Sequence, residues 1–113
     1  MKVFRRFRKY TEKYNEYDVT IFQTPQFGQK KGYRQVYRFF IHSTDHETLI
    51  SQVFRMFNVQ DLVPKDYRGR YLGTGDIVFI DEGRNGHYYY QLQTGGWRQI
   101  HRVHLRLAKK QTS

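Results

Sequence analysis

The amino-acid sequence predicts an α+β fold in which a mostly antiparallel sheet carries one helix packed on a face. Three observations support this prediction. Aromatic residues are abundant, with 10 Tyr, 9 Phe and 1 Trp, and such side chains pack well on pleated sheets. Residues 63–100 alternate short apolar runs with glycine-rich turns, which is typical of a β-meander. Residues 43–57 carry apolar side chains at helical spacing.

Two strands precede the helix in the predicted element order β-β-α-β-β-β. Residues 17–24 alternate in polarity and are rich in β-branched side chains, which predicts the first strand. Residues 25–32 contain a proline, two glycines and a lysine pair, and this composition predicts a loop. Residues 33–42 predict a second strand, antiparallel to the first.

The helix is predicted over residues 43–57. Thr44 and Glu47 have the spacing of a capping box, in which each side chain bonds a backbone amide at the helix start. An apolar stripe follows and predicts the face that packs on the sheet. Its members are Leu49, Ile50, Val53, Phe54 and Phe57. Asn58 predicts the end of the helix, and residues 59–72 a connecting segment.

Three further strands complete the predicted sheet. Residues 75–81 are apolar on both faces, which predicts a central strand. An Asn-Gly turn within residues 82–86 leads to a strand over residues 87–93. A second turn at residues 94–96 leads to the last strand, over residues 97–107.

The chain of 113 residues carries a formal net charge of +10, and most of the excess lies at its two ends. Residues 1–16 hold six Lys or Arg and two Glu, and residues 97–113 hold five Lys or Arg and no acid. We therefore expect a basic, aromatic segment at 1–14, a single α+β domain at 15–107 and a solvated tail at 108–113.

These basic ends predict a surface that binds an anionic partner. The predicted partner-binding residues are Arg5, Arg6, Arg8, Lys9, Arg98, Arg102 and Arg106. Basic side chains among aromatic ones suit nucleic acid, an anionic membrane surface or an acidic protein. A solvated segment whose aromatic rings fold back on the domain accounts equally well for the pattern, so these alternatives stay open.

The search for a catalytic or metal site predicts none. The chain lacks cysteine, which excludes disulfides and thiolate ligands, and its five histidines do not converge. Asp76 lies about 17 Å from Asp81 along an extended strand, whereas paired catalytic carboxylates lie about 5–10 Å apart. No apolar run approaches about 18 residues. We expect a cytoplasmic protein that is not an enzyme, with no cofactor and no small-molecule substrate.

Residues 64–83, the run His87-Tyr-Tyr-Tyr and the run Gly95-Gly-Trp97 resemble the YodL-like domain family. The family pattern is a Pro-x-Asp-aromatic-x-Gly motif, a Ser/Thr-x-Gly/Ser-Asp-Ile/Val-Val strand start, a Tyr-Tyr strand and a Gly-aromatic return. Residues 17–28 and 53–64 also resemble small stand-alone members from spore-forming bacilli. The matching motif residues are Asp66, Tyr67, Gly69, Asp76 and Trp97.

The resemblance implies a regulator that acts by binding. The expected function is to modulate cell shape or wall elongation, in association with sporulation, by contacting an actin-like cytoskeletal protein. The alternative is a nucleic-acid-binding or anti-defence accessory protein of a mobile element. The motif residues are expected either to serve this function or to be structural, with Asp66 capping the turn at Gly69 and Trp97 filling the core.

Overall fold

The computed structural model of the protein describes residues 14–101, which form a five-stranded sheet with one helix on a face. The elements are β1 Asn15–Gln23, β2 Arg34–Ser43, α1 His46–Asn58, β3 Ile77–Asp81, β4 His87–Gln93 and β5 Gly96–Ile100. The strand order is β2-β1-β3-β4-β5, and every neighbouring pair is antiparallel. The predicted class and element order are confirmed.

Strand β3 lies at the centre of the sheet, as its apolar sequence predicts. Val78 and Ile80 are fully buried in the main core beneath the helix. Ile77 is fully buried on the opposite face, where it packs with Tyr33 and Tyr89. A strand with neighbours on both sides and apolar cover on both faces needs no polar side in its sequence.

Helix α1 packs on the sheet through a stripe narrower than predicted. Its buried residues are Leu49, Ile50, Val53 and Phe57. Phe54, also predicted in the stripe, is 38% exposed, and its ring meets Trp97 edge-on at 6.4 Å between centroids. Each buried aliphatic or aromatic side chain contributes about 1.5–3 kcal/mol of transfer free energy, so these four residues attach the helix.

The helix starts later than predicted and has a different cap. Ser43 still pairs with Asn15 at the end of β2, so the helix cannot include it. Asp45 is the N-cap, and its carboxylate accepts a hydrogen bond of 2.8 Å from the Thr48 amide. The predicted capping box of Thr44 and Glu47 is therefore wrong, because the turn out of β2 places the next acceptor, Asp45, at the cap.

The helix ends at Asn58, as predicted, and this residue also holds the connecting segment. Its amide nitrogen donates to the Leu72 carbonyl at 3.0 Å, and its amide oxygen accepts from the Leu72 backbone N–H at 2.6 Å. Leu72 is thereby fixed in the main core, where it is 4% exposed. None of the helical structure in residues 14–101 has the length and apolar character needed to cross a bilayer.

A β-bulge interrupts the pairing of β1 with β2. Ile21 pairs with Tyr37, whereas the next residue, Phe22, pairs with Gln35. Val36 is therefore an extra residue on β2 at this point, and bulges of this kind bend and twist a strand.

Four side chains form the His46 cluster, which joins the helix start to the sheet: His46, Glu82, Tyr88 and Tyr90. His46 Nδ1 lies 2.7 Å from the Tyr90 hydroxyl, and its Nε2 makes a short contact with the Glu82 carboxylate. The Tyr88 ring packs edge-on against the imidazole at 4.7 Å. His46 therefore satisfies two polar groups from two other segments of the chain.

Replacing His46 with phenylalanine should destabilise the fold by about 1–3 kcal/mol, because Glu82 and Tyr90 lose their partner while an aromatic ring is kept. Urea denaturation followed by circular dichroism measures this free energy of unfolding. His42→Phe, at an exposed position of β2, is the control and should change it by less than about 0.5 kcal/mol. Equal effects of the two substitutions would show that the His46 contacts contribute nothing.

Candidate binding cleft

Asp76 is the centre of a buried polar network at the end of the sheet where β1 finishes. Its side chain is 2% exposed. One carboxylate oxygen accepts from Gln23 Nε2 at 3.0 Å and from the Gly73 amide at 2.9 Å. The other accepts from Arg70 Nη2 at 3.1 Å. We call Gln23, Arg70, Gly73 and Asp76 the Asp76 network.

Gln23 and Arg70 fasten the connecting segment to the end of β1. Gln23 Oε1 accepts from the Arg70 backbone amide at 3.0 Å, and Gln23 Nε2 donates to the Arg70 carbonyl at 3.0 Å. The guanidinium also donates to the Thr24 carbonyl, and the Tyr67 hydroxyl to the Arg70 carbonyl. Arg70 Nε alone lacks a partner among the buried side-chain polar atoms of residues 14–101. Nearly every polar group here is thus satisfied, as burial demands.

Burial controls the ionisation of this network. Loss of water raises the pKa of the Asp76 carboxyl, against the opposing effect of hydrogen bonds from Gly73 and Gln23 and of the Arg70 charge. Burial, and then the Asp76 charge, raise the pKa of Tyr67 to about 12. The Tyr67 hydroxyl therefore stays protonated and donates its hydrogen bond throughout the neutral range.

Two motif residues lie beside the network: Gly69 packs against it, and Asp66 bonds a neighbouring strand. A Cβ at Gly69 would lie 2.4 Å from the Tyr67 hydroxyl and 2.6 Å from Gln23 Oε1, so no larger residue fits without moving both. Asp66 accepts a hydrogen bond of 2.7 Å from the Tyr37 hydroxyl on β2. This contact joins the connecting segment to β2, and the predicted role of Asp66 as a cap for the turn at Gly69 stays a prediction.

A cleft of about 760 Å³ opens beside this network. We call it the loop cleft. Its walls are the β1–β2 loop, the residues before β3 and the β4–β5 turn. A chain of hydrogen bonds forms its floor: Gln93 Nε2 donates to Gln91 at 3.0 Å, Gln91 Nε2 to the Tyr33 hydroxyl at 3.3 Å, and Tyr33 to the Gly75 carbonyl at 2.5 Å. The hydrogen-bonded groups are polar and uncharged, and most of the remaining exposed lining of the cleft is apolar.

Phe27 stands at the rim of the loop cleft with 64% of its surface exposed. Its ring lies over Gly73, where a Cβ would come within 2.9 Å of a ring carbon. The glycine that donates its amide to Asp76 thus also leaves room for the ring. Gly73 therefore links the Asp76 network to the rim of the cleft.

Two smaller clefts lie elsewhere on the described part of the chain. One, of about 470 Å³, is lined by His46 and Tyr90 of the His46 cluster together with Trp97. The other, of about 420 Å³, is lined by acidic side chains that include Asp18 and Asp81. In residues 14–101 no group of three or more His, Cys, Asp or Glu side chains is arranged to hold a metal ion.

The structure brings three of the five predicted motif residues together. Tyr67, Gly69 and Asp76 meet at the Asp76 network, and Asp66 lies on the same segment. Trp97 lies on β5, where it pairs with Leu92, and it is half-buried at the edge of the main core and not its filling. Of the predicted basic residues, Arg98 is exposed on β5. The others lie outside the described residues: Arg5, Arg6, Arg8, Lys9, Arg102 and Arg106.

Sequence reasoning missed the residues that complete the network and the cleft. Gln23 is the last residue of β1 and lies within the strand predicted over residues 17–24, where nothing in the alternation shows that it is buried and needs polar partners. Arg70 lies in residues 59–72, which the sequence predicts only as a connecting segment. The pairing of Gln23 with Arg70 spans 47 residues, and no local periodicity reports a contact of that separation.

The substitution Asp76→Asn should destabilise the protein by about 3 kcal/mol, because it leaves a partly buried guanidinium without its counter-charge at nearly constant volume. The comparison is urea unfolding of the variant with that of Asp61→Asn, which changes an exposed aspartate of the same connecting segment. We expect the control to stay within about 0.5 kcal/mol of the wild type. A similarly small effect at Asp76 would contradict a structural role for the network.

The raised pKa of Tyr67 predicts a loss of stability at alkaline pH. A tyrosine that ionises at about 12 when folded and near 10 when unfolded stabilises the fold below pH 10, and this contribution disappears between pH 10 and about 12. Over that interval the Tm of the wild type should fall more than that of Tyr67→Phe, which cannot ionise. Tyr71→Phe, at a residue 59% exposed, is the control and should follow the wild type. Parallel curves for wild type and Tyr67→Phe would disprove the assignment.

Comparison with known proteins identifies the family. The model of the YodL-like domain matches residues 5–102. Over 87 residues the chain is 56% identical to the uncharacterized protein YodL of Bacillus subtilis (strain 168), a match that covers 77% of this chain and 84% of that protein. No solved structure matches the chain. The extent of these two matches shows that the chain belongs to the YodL-like domain family.

Proposed function

We propose that the protein is a non-catalytic, cytoplasmic binding protein that modulates cell shape or wall elongation, in association with sporulation, by contacting an actin-like cytoskeletal protein. The proposal that the protein binds a partner rests on the loop cleft. The polar groups of the adjacent Asp76 network bond mainly to one another, and the ring of Phe27 is exposed at the rim of the cleft. The cellular part rests on the resemblance to the YodL-like domain family.

The chemistry of the loop cleft favours binding over catalysis. The Asp76 carboxylate, which would be the natural general base, already accepts three hydrogen bonds and is 2% exposed. Burial raises the pKa of Tyr33, so its hydroxyl is protonated at neutral pH and donates to the Gly75 carbonyl. The Asp76 oxygens are therefore occupied as acceptors, and the Tyr33 proton is occupied in a hydrogen bond. Both groups stabilise the structure around the cleft and are poorly placed to transfer a proton.

The His46 cluster is the more enzyme-like arrangement, because an imidazole lies between a carboxylate and a hydroxyl. Its hydroxyl belongs to Tyr90, and burial raises the pKa of that residue. A nucleophile or general base needs a lowered or matched pKa, so this shift opposes catalysis by Tyr90. The cluster instead fits its position as a joint between helix α1, β4 and the turn after β3.

Exposed aromatic side chains support a protein partner. Phe27, Phe40 and Tyr71 are each more than half exposed. Aromatic residues are enriched in the cores of protein interfaces and among the residues that dominate binding energy. Phe27 stands out because it is fixed against Gly73 at the rim of a cleft, so we assign it the main contact.

Overproduction in a rod-shaped bacterium tests the cellular proposal. The wild-type protein should change cell width, and Phe27→Ala should weaken this effect because it removes the exposed ring. Leu62→Ala, which removes an apolar side chain that is 46% exposed outside the loop cleft, is the matched control and should act like the wild type. Fluorescence microscopy of membrane-stained cells gives the width, and immunoblotting must show equal amounts of the three proteins.

Unchanged cell width on overproduction of the wild type would count heavily against the proposal. Co-sedimentation of the purified protein with a purified actin-like filament protein then tests direct contact. Partners that are retained from a lysate only without nuclease would move nucleic-acid binding to first place.

A further inference from the structure

We propose that the loop cleft binds a short extended segment of a protein partner that carries acidic side chains. This inference rests on the proposed function and specifies the chemistry of its partner. In the bound state the segment's backbone amides pair with the glutamine side chains of the floor. Its carboxylates meet Lys30 and Lys31, and one apolar side chain covers Phe27.

The floor of the cleft matches a peptide backbone. Each glutamine amide has two N–H donors and an oxygen that accepts twice. Gln91 already uses both donors, toward the Tyr33 hydroxyl and the Gly75 carbonyl, and its oxygen can accept once more, whereas Gln93 keeps one N–H donor and its whole oxygen. Neutral amides that both donate and accept are complementary to the peptide group, which also does both. Thr74 and Thr94 add two hydroxyls to the walls.

The charge at the rim selects an acidic segment. Lys30 lines the cleft, Lys31 follows it, and both are exposed. Neither lysine has an acidic partner within residues 14–101. Two adjacent cations without counter-charges attract a carboxylate-bearing segment and speed its association.

The same lining disfavours nucleic acid in this cleft. Lys30 is the only charged residue among those that line the cleft in the described part of the chain. Nucleic-acid grooves use several cations to follow successive phosphates, whereas one or two cations beside neutral amides suit a segment with spaced carboxylates.

The cleft is also ordered in advance. The Thr24 hydroxyl donates to the Gln26 carbonyl at 2.7 Å, and the Gln26 amide donates to Gln29 Oε1 at 3.0 Å. These bonds fix the loop that carries Phe27 and Lys30, while the Asp76 network fixes the opposite wall. A preformed site loses little conformational entropy on binding, which favours affinity.

A titration monitored by NMR tests the inference. The probe is a synthetic peptide that alternates Glu with Leu, and the amide signals of residues 27–30 and 91–94 should shift on its addition. The double substitution Lys30→Glu with Lys31→Glu should weaken binding by about tenfold or more, and Phe27→Ala should weaken it by a similar factor. Lys65→Glu, the same change at an exposed lysine on the connecting segment, should leave affinity unchanged. Spectra of the free variants confirm that each is folded.

Three results with peptides would overturn the inference. They are the absence of shifts around the cleft, an equal loss of affinity in Lys65→Glu, and equal binding of a peptide in which Lys replaces Glu. Oligo(dT) that shifts the same signals with higher affinity would overturn it in favour of nucleic acid.

The two proposals fail in different ways. If the acidic peptide binds in the cleft but the actin-like filament protein does not co-sediment, the inference stands and the proposed partner is wrong. If the filament protein binds the wild type and the lysine double variant equally well, the proposed function stands and the cleft assignment is wrong.

Discussion

The buried Asp76 carboxylate is the interaction on which the candidate site depends. Through Gln23 it reaches the end of β1, and through Arg70 and Gly73 it holds the segment that leads into β3. A carboxylate at this depth is costly unless it is paired and hydrogen-bonded, so the surrounding residues have little freedom to change. The same bonds restrain the residues before β3 that form one wall of the loop cleft.

Strand β1 contacts a polar cluster near each of its ends. Near its start, Tyr17 meets the ring of His46 edge-on at 5.6 Å, and His46 binds Glu82 and Tyr90. At its finish, Gln23 enters the Asp76 network. Between these points Val19 and Ile21 are fully buried under the helix. Apolar packing thus provides the bulk of the attraction, and the polar groups at the two ends select one register and one loop path.

The sequence was sufficient for the features that depend on local pattern. The central position of β3, the Tyr-rich β4 and the buried stripe of α1 follow from polarity that repeats every two or every 3.6 residues. The helix cap was missed because two adjacent residues, Thr44 and Asp45, both suit that role, and only the end of β2 decides between them. The Asp76 network was missed because its partners are brought together by the fold, and polarity along the chain does not record such a meeting. The segment that contains Gly69 and Gly73 is glycine-rich in the sequence. The structure shows that glycine is needed at these two positions because neighbouring side chains pack closely against them.

The bulge at Val36 has a consequence for the faces of the sheet. Side chains alternate along a strand, so one inserted residue transfers every position before it to the opposite face. Tyr37 packs in the main core, whereas Tyr33, four residues earlier, packs with Ile77 and Tyr89 on the other side. Without the insertion Tyr33 would point toward the helix, and the Gly75 carbonyl would lose its hydroxyl partner. The geometry of the loop cleft is thus encoded in part by the length of β2, a property that a residue-by-residue comparison of cleft linings would overlook.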